Sequence, residues 1–508
     1  MRGIATAVSA ANIPGVRDTV PSCGAVVVHV DPLRWSEGGL DQLRGVSVNP
    51  AGEAAQVVDV PVIYDGEDLL AVAAHSGLTV ADVTRRHAAG VYTVVMTGFA
   101  PGFPYLAAVD PRLSLPRLAT PRLRVPAGAI GLAAGMTCIY PGGTGGGWSL
   151  VGHSDIRLFD PEAVRPATLR PGDQVRFVPV HALAREPGPS SLPPRAATAP
   201  APGGLRVLRP GQLTSVQDGG RWGFQALGVP VSGACEAGAR RRANRAVGNA
   251  DSCAVLEVTA VGPDLRAEEP LLLAWSGAGM AVELDGRQIP AGVAVQVKPG
   301  GVVRCGAITG GLRAVVAVRG GLDVPVVLGS RSACLGGAFG GGVGRALLSG
   351  DHLPIGRPSG EPRLVPNPWR GGGPIVLRVL PGPDASLLSA SVLARLLETP
   401  LTVSRHGNRT GCRLSVQVPE LCDLAAGERL PSGTVPGAIQ CTPAGDLLLL
   451  LADRQPTGGY PQVLAVIAAD LDVAAQLTAG DRVTLTCCSP DDALRALVSR
   501  EAALLNGC

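Results

Sequence analysis

Apolar residues along this chain recur mostly at alternate positions or in short runs bounded by Gly and Pro, the pattern of half-buried and buried β-strands. Ala25–Val30 (AVVVHV) and Gln56–Tyr64 (QVVDVPVIY) read as strands. The period then changes. Leu69–Ser76 and Val80–Ala89 carry apolar residues at helical spacing, with Thr79 placed to cap the second helix. Residues 1–88 therefore predict a small α/β unit, and the short strands and Gly/Pro turns of 89–183 predict a β-barrel. Residues 184–204, AREPGPSSLPPRAATAPAPGG, have no apolar periodicity and read as an extended linker. From Leu205 the strand pattern resumes, broken by helices over Glu236–Val247 (stopped by Gly248), Asp384–Leu397 and about Asp491–Leu505. The run Leu447–Ala452 is far too short to cross a bilayer and reads as a buried strand.

Four segments repeat a tight turn leading into a strand: PGDQVRF (171–177), PGGVVRC (299–305), SGDHLPI (349–355) and AGDRVTL (479–485). They predict three related barrels. The fold class expected is mainly β, with an α/β N-terminal unit and three barrels in two parts. The boundaries are 1–88, 89–183, the linker, 205–370, 371–495 and a tail, 496–508.

The length of 508 residues agrees with about three domains. Charged residues make up 17% and the net charge is +3, so nothing in the electrostatics calls for nucleic acid or a membrane surface. The N-terminus has no continuous apolar run of the signal-peptide kind. Twelve cysteines without a C-x-x-C pair predict free thiols in a reducing, cytoplasmic setting. Lys298 is the sole lysine, which excludes a G-x-x-x-x-G-K-[ST] loop and, before a Pro-Gly turn and without flanking Met, a Schiff-base or biotinylated lysine. The seven histidines lack metal-ligand spacing, so no metal site is expected, and no G-x-S-x-G elbow occurs.

Candidate chemistry lies in three places. GFAPGFPYL (98–106) and YPGGTGGGW (140–148) flank the basic stretch PRLATPRLRVPAG (116–128). Gly and Pro at this density build rigid loops whose backbone can approach a ligand. Gly98, Phe99, Gly102, Phe103, Tyr105, Arg117, Arg122, Gly146, Gly147 and Trp148 are the binding candidates there, with His87 on the preceding helix a catalytic one. In SVQDGGRWGFQALGVPVSGACE (215–236), Asp218 and Arg221 can present a carboxylate and a guanidinium to one ligand, and Glu236 starts a helix that also carries Asn244. Glu257, in the strand VLEVT, is either functional or paired, for example with Arg241 or Arg245. Polar-glycine islands at 407–414, 437–445 and 452–461 offer Arg409, Arg413, Gln440, Asp453, Thr457, Gly458, Gly459 and Tyr460 to one pocket. Arg there suits a carboxylate or phosphate.

These strings carry a family resemblance. YDGEDL (64–69), the spacing from His87 through Tyr92 to GFAPGFPYL, PRLATPRLRVPAGAIGLA, IYPGGTGGGWSLVG, LFDP and PGDQVRF resemble KipI-type proteins, the family of the 5-oxoprolinase B subunit. RPGQLTSVQDGGRWGFQALGVPVSGA, RANRAVGN, LEVTAVGP, VRGGLDVPVVLGSRSACLGG, SGDHL, GAIQ and ADRQPTGGYP resemble KipA-type proteins, the family of the 5-oxoprolinase C subunit. The resemblance covers the chain outside the linker and implies a natural fusion of the two, with cyclophilin-like barrels, one in the first part and two in the second. The same architecture forms the carboxyltransferase part of urea carboxylase and urea amidolyase. The chain departs from the family's usual pattern at Ala129 (Ser), Glu236 (Asp), and Asn408 and Thr410 within the segment usually closer to D-R-M-G-x-R-L.

The resemblance implies a component of an ATP-dependent 5-oxoprolinase that uses ATP with Mg2+, acts with a separate A-type subunit, and carries Asp218, Arg221, Glu236 and His87 as catalytic residues. Biotin-dependent carboxyl transfer is the alternative, with the biotin supplied by another chain. Inhibition of a histidine kinase, as in the KipI name, is the second alternative. Homo-oligomerisation is left open.

Overall fold

The computed structural model describes residues 1–48, 55–185, 203–369, 371–424 and 429–506. Linker residues 186–202 and the last two residues of the tail lie outside them.

In the first part, seven strands form one sheet: Val57–Val62, Val91–Thr97, Pro104–Ala107, Ala129–Ala133, Met136–Ile139, Ser149–His153 and Gln174–Pro179. Gln174–Pro179 runs parallel to Val57–Val62 and antiparallel to Val91–Thr97. A bridge between Ile63 and His153 joins the two edge strands, so the sheet closes on itself. Alternate apolar side chains meet inside it, among them Val60, Val94, Leu106, Ile130, Leu132, Val175 and Phe177. Each buried aliphatic or aromatic chain of this size contributes about 1.5–3 kcal/mol. Helices Leu69–Ser76 and Val80–Ala89 connect the first two strands, and Thr79 caps the second by accepting the Asp82 N–H at 3.1 Å.

The last part repeats this topology. Ile375–Pro381, Leu401–Gly407, Gly411–Ser415, Ala438–Cys441, Leu447–Leu450, Gln462–Val466 and Arg482–Cys487 form a closed barrel. Numbered by chain order, its strands follow the neighbour sequence of the first sheet, with the last strand again parallel to the first and antiparallel to the second. The four repeated turns hold Gly172, Gly300, Gly350 and Gly480 at φ 97°, 82°, 90° and 90°. Only glycine adopts these angles without strain, which is why the motif is visible in the sequence.

Four expectations are corrected. The strand Val57–Val62 belongs to the barrel sheet, so a boundary at 88/89 cuts through one core. The middle sheet of nine strands is branched: Leu271–Leu284 and Val302–Val318 form a long ribbon, and register shifts near Gly277–Gly279 bend it away from a single barrel wall. The boundary at 495/496 cuts through one element: the final helix, expected over about Asp491–Leu505, runs Pro490–Asn506 and packs back on the helix Ala237–Ala246, with Arg241 paired to Glu501 at 2.5 Å. The helix expected over 384–397 is a 3-10 turn, Ala385–Leu387, followed by Ala390–Glu398, which Ser389 caps through the Val392 N–H. No helix of the described residues is long and apolar enough to cross a membrane, and their cysteines are free.

Candidate functional site

The two glycine-rich regions that stand farthest apart in the sequence meet in the fold. Phe99 N–H donates to Thr457 Oγ1 at 3.0 Å. A Cβ on Gly98 would overlap the same hydroxyl, so glycine is required for this approach. Tyr105 lies beside Thr457, and burial holds its phenol un-ionised well above the ordinary range. Arg117 reaches over the neighbouring backbone: a Cβ on Gly459 would come within 3.0 Å of its Nη1. Leu118 N–H donates to Gly147 O at 2.7 Å, which fixes the Arg117 segment against the second glycine-rich loop. Gly146 leaves room for the Tyr140 ring. Phe103 is the hub beneath, with ring centroids 5.4 Å from Phe99, 4.9 Å from Tyr105, 5.2 Å from Tyr140 and 6.3 Å from Trp148. Such edge-on contacts add about 0.5–1.5 kcal/mol each beyond area burial and keep the floor rigid.

A third segment closes this seam. Gly102 N–H donates to Leu227 O at 2.9 Å, and Thr97 donates to Ala226 O. Gln225, fully buried, donates Nε2–H to Asp18 Oδ2 at 3.0 Å and accepts from Arg454 Nη2 at 2.6 Å. Asp18, Gln225 and Arg454 come from the first part, the middle sheet and the last barrel. The seam is thus an aromatic floor with polar walls drawn from both halves of the chain. Among the described residues, Arg117 has no ion-pair or hydrogen-bond partner, and it is only half-buried. A guanidinium so placed is suited to a carboxylate or phosphate.

A second polar cluster lies between the middle sheet and the last barrel. Glu236 is 2% exposed; it pairs with Arg242 at 2.6 Å and accepts from Gln476 Nε2. Burial, reinforced by Asp472, pushes its carboxyl up to about 7, against the opposing pull of Arg242 and Gln476. Gln476 is itself fixed, its Oε1 accepting from the N–H groups of Leu312 and Arg313. Beside it Arg409 is saturated, paired with Glu257 and with Asp453 at 2.8 Å and donating to Gly233 O at 2.7 Å. Glu257 is therefore paired, with Arg409 rather than Arg241 or Arg245. The single segment 453–460 runs from this cluster to the seam.

Several predicted residues stand apart. His87 is enclosed in the first barrel's core. Its ring stacks on Phe177 at 4.6 Å, with Nδ1 bonded to Tyr64 at 2.7 Å and Nε2 to Thr137 at 3.1 Å. A base needs access to substrate, so the geometry makes His87 a structural residue. Asp218 is engaged by Ser330, Ser332 and the N–H groups of Arg331 and Gly220. Burial works to raise its pKa, but these bonds outweigh it and hold the carboxyl below its ordinary value. It holds the 330–332 loop, with Oδ1 accepting from Gly220, Ser330 and Ser332 and Oδ2 from the Arg331 N–H. Arg221 is buried, 1% exposed, beneath Phe339, and burial lowers its pKa. Arg122 is tied to Asp68 and Glu67, each at 2.7 Å. Arg413 pairs with Asp446 on the surface. Asn244 bonds Cys253 O and Asn249 within the helix connection. Gln440 packs under Gly458 and donates weakly to Tyr460 O, on the face of the 457–460 segment opposite Arg117.

The sequence reading passed over Asp18, Gln225, Arg242, Arg454 and Gln476. Gln225 and Arg454 stand inside the glycine-rich strings but were masked by their neighbours there, Arg242 stands within a charged helical run, and Asp18 and Gln476 have no local signal; only the tertiary fold brings them to these clusters. Among the described residues no group of three or more His, Cys, Asp or Glu is arranged to hold a metal ion.

Residues 1–169 match the family described as carboxyltransferase domain, subdomain C and D, and residues 227–487 match subdomain A and B. The chain is 36% identical over 295 residues to the 5-oxoprolinase C subunit of Escherichia coli K12, covering 58% of this chain and 94% of that protein. It is 48% identical over 174 residues to the 5-oxoprolinase B subunit of Escherichia coli O157:H7, covering 33% and 80%. The crystal structure of TTHA0988 superposes with a TM-score of 0.85 at 37% identity over 96% of both chains. The chain therefore belongs to the carboxyltransferase-domain family, with a C/D unit like the B subunit of 5-oxoprolinase fused ahead of an A/B unit like its C subunit.

Proposed function

We propose that this chain is the fused B/C component of an ATP-dependent 5-oxoprolinase and that it works with a separate A-type subunit. The carrying observation is the seam. Residues that belong to two separate chains in the relatives, Gly98, Phe99, Tyr105 and Arg117 on one side and Thr457 and Gly459 on the other, here meet along one seam, over a buried aromatic cluster and beside an unpaired arginine.

5-Oxo-L-proline is a small ring bearing one carboxylate. In this reading Arg117 holds the carboxylate and the half-buried Phe99 ring takes the ring methylenes. The net reaction converts 5-oxo-L-proline, ATP and two waters to L-glutamate, ADP and phosphate. The lactam is too stable to open without coupling, so its oxygen is phosphorylated first and water then adds. ATP and its Mg2+ enter as co-substrate, held jointly with the A-type partner. The described residues supply no metal cluster, and Mg2+ bound chiefly through nucleotide phosphates needs few protein carboxylates. Glu236, 2% exposed and engaged at both oxygens by Arg242 and Gln476, fails the same access requirement as His87 and is assigned no step.

The test is glutamate release from 5-oxoproline and ATP by this chain, with and without the A-type partner protein. Activity in the mixture, with Arg117→Met raising KM about 10- to 100-fold at little cost in kcat, supports the reading. No glutamate from a folded mixture sinks it and turns attention to carboxyl transfer from supplied carboxybiotin, the chemistry for which the family is described.

A further inference from the structure

The loop 338–344 (AFGGGVG) has an unusual backbone. Gly340, Gly341 and Gly342 take successive φ values of 73°, 61° and 80°, and Gly344 N–H closes the turn onto Gly340 O at 2.7 Å. The N–H groups of Gly340, Gly341, Gly342 and Val343 meet no acceptor among the described residues, although Gly340, Gly341 and Val343 are buried. Buried backbone N–H groups are paired in well over nine cases in ten, so a run of orphans calls for a partner. The loop lines a cavity of about 320 Å3 whose other walls are Val326, Val327 and Leu328, with Pro161 and Glu162 from the first part of the chain. Leu328 and Ala338, both on the lining, hold φ of 51° and 55°, a conformation that costs a non-glycine residue energy and concentrates at ligand sites.

Arg221 lies beneath this loop. A Cβ on Gly340 would stand 2.9 Å from its Nη2, and its guanidinium sits 5.0 Å from the centre of the Phe339 ring. Nη2 donates to Ser332 O, while Nε and Nη1 donate to nothing. Among the described residues Arg221 forms no ion pair, and the nearby Asp218 is already engaged by Ser330 and Ser332. An unpaired buried cation beside unpartnered donors is costly unless an anion completes it. We propose that the 338–344 loop forms a second binding site, for an anionic oxygen group (phosphate or carboxylate), with Arg221 supplying positive charge from one layer beneath, behind Gly340 and Phe339 and outside the cavity lining, and with the remainder of the ligand against Val326 and Leu328. This goes beyond the seam reading and does not rest on it.

The full-length chain is titrated calorimetrically with inorganic phosphate and, separately, with 5-oxo-L-proline, in chloride-free buffer. The site predicts saturable binding of at least one of them that is weakened about 10-fold or more by Val326→Trp, which fills the cavity from a half-exposed position. Glu162→Gln removes a carboxylate from the lining and strengthens the same binding severalfold. Arg221→Met abolishes it, and since that variant risks the fold, Val326→Trp and Glu162→Gln decide the matter. Phosphate alone binding identifies a phosphoryl ligand, 5-oxoproline alone a carboxylate, and both the shared chemistry. Absence of saturable binding in the wild type overturns the proposal. So does binding that Val326→Trp and Glu162→Gln leave unchanged, and if Arg117→Met alone removes it, the anion belongs to the seam.

Discussion

Phe99 and Thr457 lie 358 residues apart in the chain and share a 3.0 Å hydrogen bond. That bond places the GFAPGFPYL loop against the QPTGGYP segment and makes the seam a single structural unit. Gly98 is what allows the approach, because any Cβ there overlaps Thr457 Oγ1.

Gly98→Ala is therefore expected to destabilise the fold by about 1–3 kcal/mol, the usual cost of overpacking, and to lower kcat/KM more than a distant change of equal ΔΔG. Trimming Thr457 removes its hydroxyl and methyl and leaves only its Cβ, at 2.9 Å, in the way. The Gly98→Ala/Thr457→Ala double variant should recover most of the lost stability but not the lost activity, because the Phe99 N–H stays unpaired. Thermal melts and kcat/KM of the four proteins in one cycle check this. Additive losses, with no recovery in the double variant, would exclude the contact.

Much of this seam was legible in the sequence. Gly98, Arg117, Thr457 and Gly459 stand in strings dense in Gly, Pro and aromatics, and such strings announce backbone approach. The four PGD-like turns were legible for the same reason: each needs a glycine at positive φ. Polar core contacts left no comparable mark. Gln225 and Gln476 make long-range bonds that no local pattern encodes. His87 and Asp218 misled because a buried structural group and a catalytic one share the same residue type, and burial and partner count separate them only in three dimensions. The final helix was legible from its own pattern, but its docking on Ala237–Ala246 was not, because that is again a long-range contact.

Glu236 links stability to pH. Its carboxyl rises from the ordinary 4.5 to about 7, chiefly through burial. The folded state thus binds the proton more tightly than the unfolded chain. Stability from this group is fully present below about pH 4.5, falls as pH rises through about 7, and is level above. Glu236→Gln, which keeps the shape and removes the titration, should flatten this profile. Melts between about pH 5 and 9, read against that variant, test it. A wild-type profile as flat as that of Glu236→Gln would mean that the carboxyl stays ionised beside Arg242.

His87 has the opposite sign. Burial pushes its pKa from 6.5 down to about 3, so the folded protein keeps it neutral while the unfolded chain protonates it. Its contribution is intact above about pH 6.5 and is lost as pH falls from there toward 3. His87→Phe keeps the stack on Phe177 but leaves the Tyr64 hydroxyl without its acceptor, while Thr137 still donates to Gly131 O at 3.0 Å. It should cost about 2–4 kcal/mol at neutral pH and weaken the acid limb of the stability curve. The kcat of the folded fraction should stay near wild type. A loss of kcat beyond tenfold in well-folded His87→Phe would return the residue to the catalytic set.

Gln225 gives the seam its strength without the linker. It binds Asp18 of the first part and Arg454 of the last barrel at once, and both partners are buried. Burial lowers the Arg454 pKa to about 9, so this guanidinium depends on its few acceptors. Residues 1–183 and 205–508, co-expressed as separate chains, are therefore expected to co-purify as a one-to-one complex. Gln225→Ala leaves a buried carboxylate and a buried guanidinium each short of a partner, a loss of about 2–4 kcal/mol, or about 30- to 1,000-fold in the affinity of the two pieces. Gln225→Glu should be no better, since the charge it offers Arg454 it turns against Asp18. Titration of one tagged piece with the other gives the affinities directly. Equal affinity for wild type and Gln225→Ala would mean that the contacts around Phe99, Thr457 and Leu227 hold the halves together and that the Asp18–Gln225–Arg454 chain merely fills the space between them.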